Sequence, residues 1–142
     1  MNYSKFLTSK FISGLIKNGK KSSSEAIFYN LLNLLQKKYK SNPIKILWIA
    51  IKKIKPSIEV VNRRKGGKIY QVPQIIKPKR QIKIALKWLI DSQTLSTKKS
   101  SMDLNIYNEV NNILLSKSEC LKKKEKLYRL IESNRAFLHY RW

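Results

Sequence analysis

The sequence has very few residues of the kinds that form disulfides, metal centres and catalytic sites. Its 142 residues include one cysteine, Cys120, and one histidine, His139. A single cysteine excludes a disulfide within the chain, and a single histidine cannot supply a zinc cluster or a Ser-His-Asp triad. The eight acidic residues are scattered singly, so no carboxylate pair is placed for acid–base catalysis. We therefore predict that the protein is not an enzyme and has no metal site and no cofactor.

Long apolar runs are also absent. The longest one, Ile46-Leu47-Trp48-Ile49-Ala50-Ile51, is far too short to cross a bilayer. The basic, serine-containing N-terminus has some marks of an organelle targeting segment, but its cations are all lysine and its apolar residues recur at helical spacing. We expect a first helix of the folded domain there, and no membrane partner.

The scarcity of acidic residues gives the chain a large positive charge. Lysine and arginine number 31 against eight acids, a formal net charge of +23. Such self-repulsion opposes compaction unless a polyanion neutralises it, and nucleic acid is the leading candidate. Hydrophobic residues make up 42% of the chain, too many for a disordered basic tail. The composition therefore predicts one folded, nucleic-acid-binding domain over residues 1–142.

Apolar residues recur at helical spacing in six segments, which predicts a mainly α fold with six helices. We place them at about Ser4–Lys17, Ser22–Lys38, Pro43 to the residues before Pro56, from Pro78, Ser101–Leu115 and Ser118–Glu132. The second helix should begin with a capping box, in which Ser22 is the N-cap and Glu25 reaches back to it. Its inward side is predicted to consist of Ala26, Ile27, Leu31, Leu34 and Leu35.

One stretch differs from the helical pattern and predicts a protruding β-hairpin arm at about residues 57–74. Two β-branched runs are separated by Lys65-Gly66-Gly67-Lys68, and paired glycines can adopt the positive φ that a tight turn needs. Pro73 cannot donate a ladder hydrogen bond, which places it at a strand end or edge. A twisted arm with a basic tip suits nucleic-acid grooves and phosphates. The alternative is a solvated hairpin whose charges only prevent edge pairing.

The arm continues into a basic helix. Lys79, Lys83 and Lys87 are spaced four residues apart and should lie along one solvent-facing side of the fourth helix. No acidic residue occurs between Glu59 and Asp91. The arm and this helix therefore predict one continuous cationic surface.

The segment from Gly14 to Lys21 is a near miss for a phosphate-binding loop. Lys21 occupies the position that needs Ser or Thr for magnesium, and a helix precedes it instead of a strand. An NTPase is therefore disfavoured. A turn between helices that exposes Lys20 and Lys21 fits better, and these lysines could lie on phosphates or be merely solvated.

Four blocks, in order along the chain, form a recognisable pattern. They are Asn18-Gly19-Lys20-Lys21-Ser22, the block Pro56–Pro73 with its Val60, Arg63-Arg64, Gly67 and Tyr70-Gln71-Val72-Pro73, the stretch Ala85-Leu86-Lys87-Trp88-Leu89-Ile90, and the ending Asn134-Arg135-Ala136-Phe137-Leu138-His139-Tyr140-Arg141-Trp142. Together they resemble the small-subunit ribosomal protein family seven over nearly the whole chain. The family's fold is a mainly helical domain with a β-hairpin arm.

The resemblance implies a structural constituent of the small ribosomal subunit. Members of the family bind the 3′ major domain of the small-subunit rRNA and nucleate assembly of the subunit head. The rRNA contacts it implies are Lys20, Lys21, Arg63, Arg64, Lys65, Lys77, Lys79, Arg80, Lys83, Lys87, Arg135, Arg141 and Trp142. The arm residues it places near the exit-site tRNA and the mRNA exit path are Lys65, Gly66, Gly67, Lys68, Tyr70 and Gln71.

Further expectations concern partners and location. The resemblance implies neighbouring head and platform ribosomal proteins as partners, transient contact with exit-site tRNA and mRNA, and no homo-oligomer. Bias toward lysine, isoleucine and asparagine favours an organelle-encoded protein of the mitochondrial ribosome, with a plastid or a reduced bacterium as alternatives. Typical bacterial members carry a basic segment before the first helix, which we expect to be absent or replaced here. The main rival function is an architectural DNA-binding protein.

The sixth predicted helix is a special case. Its lysine run, Lys122-Lys123-Lys124, lies near the helix start, where the helix dipole disfavours cations. These lysines are therefore either held by something other than helix stability or simply tolerated. The resemblance there extends only to the helical pattern, so it implies no firm RNA contact for them or for Lys126.

Overall fold

The computed structural model describes residues 3–94 and 100–140, which form a helical domain with one hairpin arm. The α-helices are α1 (Tyr3–Leu15), α2 (Lys21–Tyr39), α3 (Pro43–Ile54), α4 (Pro78–Thr94), α5 (Met102–Leu114) and α6 (Glu119–Ser133). Strands β1 (Ile58–Lys65) and β2 (Lys68–Ile75) separate α3 from α4. The predicted fold class, mainly α with one β-hairpin, is confirmed.

The chain ends differently from the sequence prediction. After α6, residues Arg135–Tyr140 form a short 3-10 helix, called here the C-terminal 3-10 helix. It has no buried residue and packs along β2 and the end of α6. Six residues, or two turns of a 3-10 helix, are too few to show helical periodicity, so the sequence did not predict this short element.

The core is a single cluster of apolar side chains from all six α-helices. Its largest fully buried members include Phe11, Phe28, Leu31, Leu35, Leu47 and Leu89. The rings of Phe11 and Phe28 lie 5.2 Å apart and join α1 to α2. This core holds α1 against α4, and α4 in turn carries the arm at its N-terminal end.

The predicted start and inward side of α2 were both partly wrong. The helix begins at Lys21, and Glu25 lies 3.5 Å from the Lys21 ammonium instead of reaching back to Ser22. The hydroxyl that contacts the helix start belongs to Ser24, which donates to the Lys20 carbonyl. Phe28 is buried where Ala26 was expected, and Ala26 is exposed. The helix starts two residues earlier than predicted, and its buried side chains are Ser24, Phe28, Leu31 and Leu35.

Two other helix starts follow the sequence rules. Asn42 caps α3 by accepting a hydrogen bond from the Ile44 amide at 3.0 Å, with Pro43 at the first helical position. Ser118 caps α6 by accepting from the Leu121 amide at 3.2 Å. These caps fix where the two helices begin, and α3 ends at Ile54, just before Pro56, as predicted.

The arm is an antiparallel pair in the register that the sequence implies. Val61 faces Val72, Arg63 faces Tyr70, and Lys65 faces Lys68 across the turn. Gly66 and Gly67 have φ of 56° and 82°. Both values lie in the left-handed region that a two-residue hairpin turn requires, so the predicted turn is confirmed. Ile58 pairs with Ile75, one residue beyond the predicted bounds.

The single cysteine is inert in the fold. Cys120 is fully buried near the start of α6, and its thiol contacts the Trp88 carbonyl at 3.5 Å. Burial raises the pKa of Cys120 to about 12, so the thiol stays protonated at neutral pH. Within the described ranges, no helix has the length and apolar character needed to cross a membrane.

Candidate nucleic-acid interface

The lysine ridge, defined as Lys79, Lys83 and Lys87, lies exposed along one side of α4. Its four-residue spacing puts the three ammonium groups on one helix face, as predicted. Opposite this helix, α1 approaches closely: a Cβ added at Gly14 would lie 2.8 Å from the Ile90 side chain. The ridge therefore overlooks a groove between two packed helices and is part of a two-helix surface.

That groove contains a cation that the sequence analysis missed. It encloses about 440 Å³ and is lined by Lys10, Ser13, Gly14, Lys83, Leu86, Lys87, Ile90 and Asp91. Lys10 comes from α1, so it joins Lys83 and Lys87 only through helix packing. Lys10 lies four residues before Gly14, so both are on the same face of α1. This spacing identifies Lys10 as a groove residue only once α4 is known to pack against that face.

Arg80 has a different role from its lysine neighbours. Its Nε donates to Glu59 Oε1 at 2.7 Å, and its Nη2 donates to Glu59 Oε2 at 2.9 Å. This two-point ion pair joins the start of α4 to β1, and the hydrogen bond to Glu59 raises the pKa of the Arg80 guanidinium above its usual value. The charge of Glu59 is thereby neutralised, and Arg80 fixes the base of the arm.

The outer part of the arm presents its cations to solvent. Arg64, Lys65 and Lys68 are exposed, and Arg63 is half-buried beside Tyr70 in the strand register. Gly66 and Gly67 are exposed at the turn between them. An isoleucine, Ile69, is 69% exposed opposite Arg64. The structure thus brings the predicted arm-tip residues together in one small basic surface.

Tyr70 and Gln71 are less available than the sequence suggested. The Tyr70 ring lies 5.3 Å from the Phe137 ring and 4.9 Å from the Tyr140 ring, measured between centroids. Gln71 Oε1 accepts a hydrogen bond from Asn134 Nδ2 at 3.3 Å. Both side chains therefore contact the end of the chain. The sequence analysis predicted that both residues lie on the arm near tRNA and mRNA. It could not reveal these neighbours, which are more than 60 residues away in the sequence.

The turn between α1 and α2 places Lys20 and Lys21 at the surface. Asn18 and Gly19 both have positive φ, and the Lys21 amide donates to the Gly19 carbonyl at 2.9 Å. Both lysines are exposed, and Lys21 pairs with Glu25. An exposed pair of this kind contributes little to stability, so Lys21 can exchange Glu25 for a phosphate at small cost.

The remaining predicted contacts lie at the two ends of the cationic surface. Lys77 is exposed just before α4, and its carbonyl accepts from the Arg80 and Gln81 amides at the helix start. Arg135 is exposed at the first position of the C-terminal 3-10 helix. Arg141 and Trp142 lie outside the described residues.

The lysines at the start of α6 have partners within the chain. Lys124 donates to the Lys53 carbonyl at the C-terminal end of α3, and Lys53 donates to the Leu114 carbonyl at the end of α5, both at 2.8 Å. Lys122 pairs with Glu119 at 2.7 Å, and this hydrogen bond lowers the pKa of Glu119. Two of the three lysines near the start of α6 are therefore held by contacts within the chain: Lys124 satisfies a carbonyl at the end of α3, and Lys122 pairs with an acid one turn earlier.

The described part of the chain contains no cluster of side chains that could hold a metal ion. No group of three or more histidine, cysteine, aspartate or glutamate residues comes together there. Helix α5 carries two acids and neither lysine nor arginine. The cations of the α1–α4 groove and of the arm form an arrangement that can bind phosphates by charge.

Comparison with known proteins gives consistent results. Residues 1–135 match a family model described as ribosomal protein S7p/S5e. The chain is 41% identical over 136 residues to the small ribosomal subunit protein uS7 of Wigglesworthia glossinidia brevipalpis, covering 96% of this chain and 86% of that protein. Identity to the uS7 protein of Maridesulfovibrio salexigens is 40% over 140 residues, covering 99% and 89%. For the uS7 protein of Sulfurimonas denitrificans it is 40% over 139 residues, covering 98% and 88%.

Proposed function

This chain belongs to the ribosomal protein S7p/S5e family, and from that premise we propose that it is a structural, non-catalytic constituent of the small ribosomal subunit. It binds the 3′ major domain of the small-subunit rRNA and nucleates assembly of the subunit head. Its arm lies near the exit-site tRNA and the path of departing mRNA, and head and platform ribosomal proteins are its protein neighbours.

The observation that carries this proposal is that the arm begins beside the helix that carries the lysine ridge. The Arg80–Glu59 ion pair ties the base of β1 to the start of α4, so the arm and the ridge belong to one cationic arrangement. Folded RNA is recognised largely by shape and by backbone contacts, which such an arrangement can match. Each bound phosphate releases counterions and thereby contributes to affinity.

The functional test is sedimentation of the native protein from lysate at high and low magnesium. We expect it to migrate with small-subunit rRNA at high magnesium and to follow the subunits when magnesium is lowered. Migration with genomic DNA would instead favour the architectural DNA-binding alternative. Failure to migrate with either nucleic acid would contradict the proposal.

The compartment is the second part of the proposal. The amino-acid composition supports an organelle-encoded protein of the mitochondrial ribosome. The relatives reported above come from bacteria, so a reduced bacterium is the alternative source. Protease protection in isolated mitochondria, followed by the same sedimentation, distinguishes the two. A protein found only in bacterial ribosomes would overturn the mitochondrial assignment.

Reversing the charge of the two arm arginines should weaken rRNA binding. In the Arg63→Glu/Arg64→Glu variant the arm tip repels phosphates, so we expect affinity to fall at least tenfold and the salt slope to become shallower by about one per lost phosphate contact. Filter binding to the 3′ major domain across several salt concentrations measures both quantities.

A matched control makes that result specific. The Lys37→Glu/Lys45→Glu variant changes net charge by the same amount at two exposed positions on α2 and α3, away from the arm and the lysine ridge. We expect it to lose less affinity than the arm variant. Equal losses in the two variants would mean that only the overall charge matters, and unchanged affinity in the arm variant would contradict the arm's role.

A further inference from the structure

We propose that the C-terminal 3-10 helix holds the arm in one orientation, and that this orientation is the one in which the arm meets RNA. The first half concerns the protein alone. The second half rests on the proposed function. Both are carried by the aromatic cluster, defined as Tyr70 of the arm with Phe137 and Tyr140 of the C-terminal 3-10 helix.

The aromatic cluster is a three-ring contact. Tyr70 contacts both other rings, with centroid separations of 5.3 and 4.9 Å. Phe137 and Tyr140 lie 6.2 Å apart and nearly parallel, at 11°. All three separations lie within the range of favourable aromatic pairs. One arm residue is therefore enclosed by two rings that are far from it in sequence.

Two further contacts join the arm to this part of the chain, one from the C-terminal 3-10 helix and one from Asn134 just before it. The Lys65 ammonium lies 4.6 Å from the centroid of the Tyr140 ring, within the distance of a cation–π interaction. The Asn134 amide donates to Gln71, one residue beyond Tyr70. The end of the chain thus contacts the arm at three positions, from the strand end beside the turn to the middle of β2.

These contacts reach the outer half of the arm, while other contacts hold its base. At the base, Glu59 pairs with Arg80, and the Ser57 amide and hydroxyl contact the Tyr128 hydroxyl at 3.2 and 3.1 Å. A two-stranded hairpin is marginally stable alone and needs packing against another element. Helix α6 also packs against β1, and Val72 of β2 is buried, so the inner part of the arm is held by the body of the domain. The contacts at Lys65 and Tyr70 lie further out, and they are made by the C-terminal 3-10 helix.

Orientation matters for binding because only a correctly placed arm can bring its cations to the RNA. If the competent orientation is populated for a fraction of the time, the apparent dissociation constant rises by the inverse of that fraction. An arm held in place binds with its intrinsic affinity. An arm that occupies the orientation about one-tenth of the time binds about tenfold more weakly.

The orientation can be measured without RNA. Spin labels on Lys68→Cys in the arm and Asn33→Cys on α2 report the arm-to-body distance in the full chain by pulsed EPR. Both positions are exposed, and the buried Cys120, with its pKa of about 12, does not compete for label at neutral pH. We expect a narrow distance distribution in this background.

The test variant is Phe137→Ala/Tyr140→Ala, with Tyr140→Phe as the conservative control. We expect the alanine variant to broaden the distribution several-fold while its helical CD signal is kept, and the control to stay narrow because its ring remains. If the alanine variant loses its helical signal, the milder Tyr140→Leu change repeats the measurement. A distribution that stays narrow in a folded variant without these rings would overturn the proposal, and so would a broad one in the background protein.

Affinity then tests the second half. The same substitutions in the unlabelled chain should weaken binding to the 3′ major domain about tenfold. An unchanged affinity with a broadened distance distribution would overturn the link between arm orientation and binding. If the unaltered chain does not bind this RNA at all, the proposed function fails, while the distance result still decides whether the C-terminal 3-10 helix holds the arm.

Discussion

Raising monovalent salt from 50 to 200 mM should weaken rRNA binding by about 10³-fold or more, the largest effect that we expect. The predicted contacts at the arm, the lysine ridge and the α1–α2 turn amount to at least about six phosphates, and each one neutralised releases counterions from the RNA. Filter binding at five or more salt concentrations gives the slope of log affinity against log salt, from which the number of contacts follows.

The Arg63→Glu/Arg64→Glu variant serves as the internal reference for that slope. Its line should be shallower than that of the unaltered chain, because two of the cations that displace counterions are gone. A change of less than about tenfold over the same salt range in the unaltered chain would contradict binding by charge neutralisation. It would then require recognition dominated by bases or apolar contacts.

The Phe28→Ala substitution should have the largest effect on stability, lowering the free energy of unfolding by about 3–5 kcal/mol. Phe28 is 1% exposed and packs against Phe11 across the α1–α2 contact. Truncation removes buried apolar surface and leaves a cavity that the neighbouring helices fill only in part. Urea unfolding at about 200 mM salt, where repulsion among the surface cations is screened, measures the loss.

The adjacent residue provides a matched control for this measurement. Tyr29 is aromatic, lies on the same helix and is 57% exposed. Its ring contacts the Phe28 ring edge-on at 5.9 Å, so Tyr29→Ala should cost about 1 kcal/mol for the lost aromatic pair and leave no buried cavity. A loss of less than about 1 kcal/mol for Phe28→Ala would mean that this part of the core repacks freely, contrary to the close contact between the Phe11 and Phe28 rings.

The arm and most helices could be predicted because their signals are local. Two glycines with positive φ lie between Lys65 and Lys68, and this two-residue turn fixes the register of the β-branched runs on each side. Pro43, Pro56 and Pro78 limit α3 and α4 at their ends. These residues act through their own backbone geometry, whatever lies around them.

The predicted start of α2 was wrong because more than one serine hydroxyl could contact the start of the helix. Ser22, Ser23 and Ser24 can each supply a hydroxyl, and the sequence alone does not say which one contacts the helix start. The turn at Asn18 and Gly19 brings the chain into helix at Lys21, so Ser24 contacts the Lys20 carbonyl. The choice follows from the packing of α1 on α2, which also buries Phe28.

The surface was predictable in its charge but not in its pairings. Spacing alone indicated the lysine ridge, but nothing local indicates that Arg80 pairs with Glu59, 21 residues earlier, or that Lys124 reaches the end of α3. Lys10 joins the groove only because α1 packs on α4. Such partners depend on tertiary contacts, and single-sequence patterns do not contain them.

The contact between Tyr70 and the end of the chain has a consequence for the timing of synthesis. Phe137 follows Tyr70 by 67 residues. At about 5–20 residues per second, the arm is made several seconds before the rings that enclose it. The arm can therefore reach its held orientation only after Phe137 and Tyr140 have been made. A chain that stops before Phe137 would carry every cation of the arm without the segment that orients them.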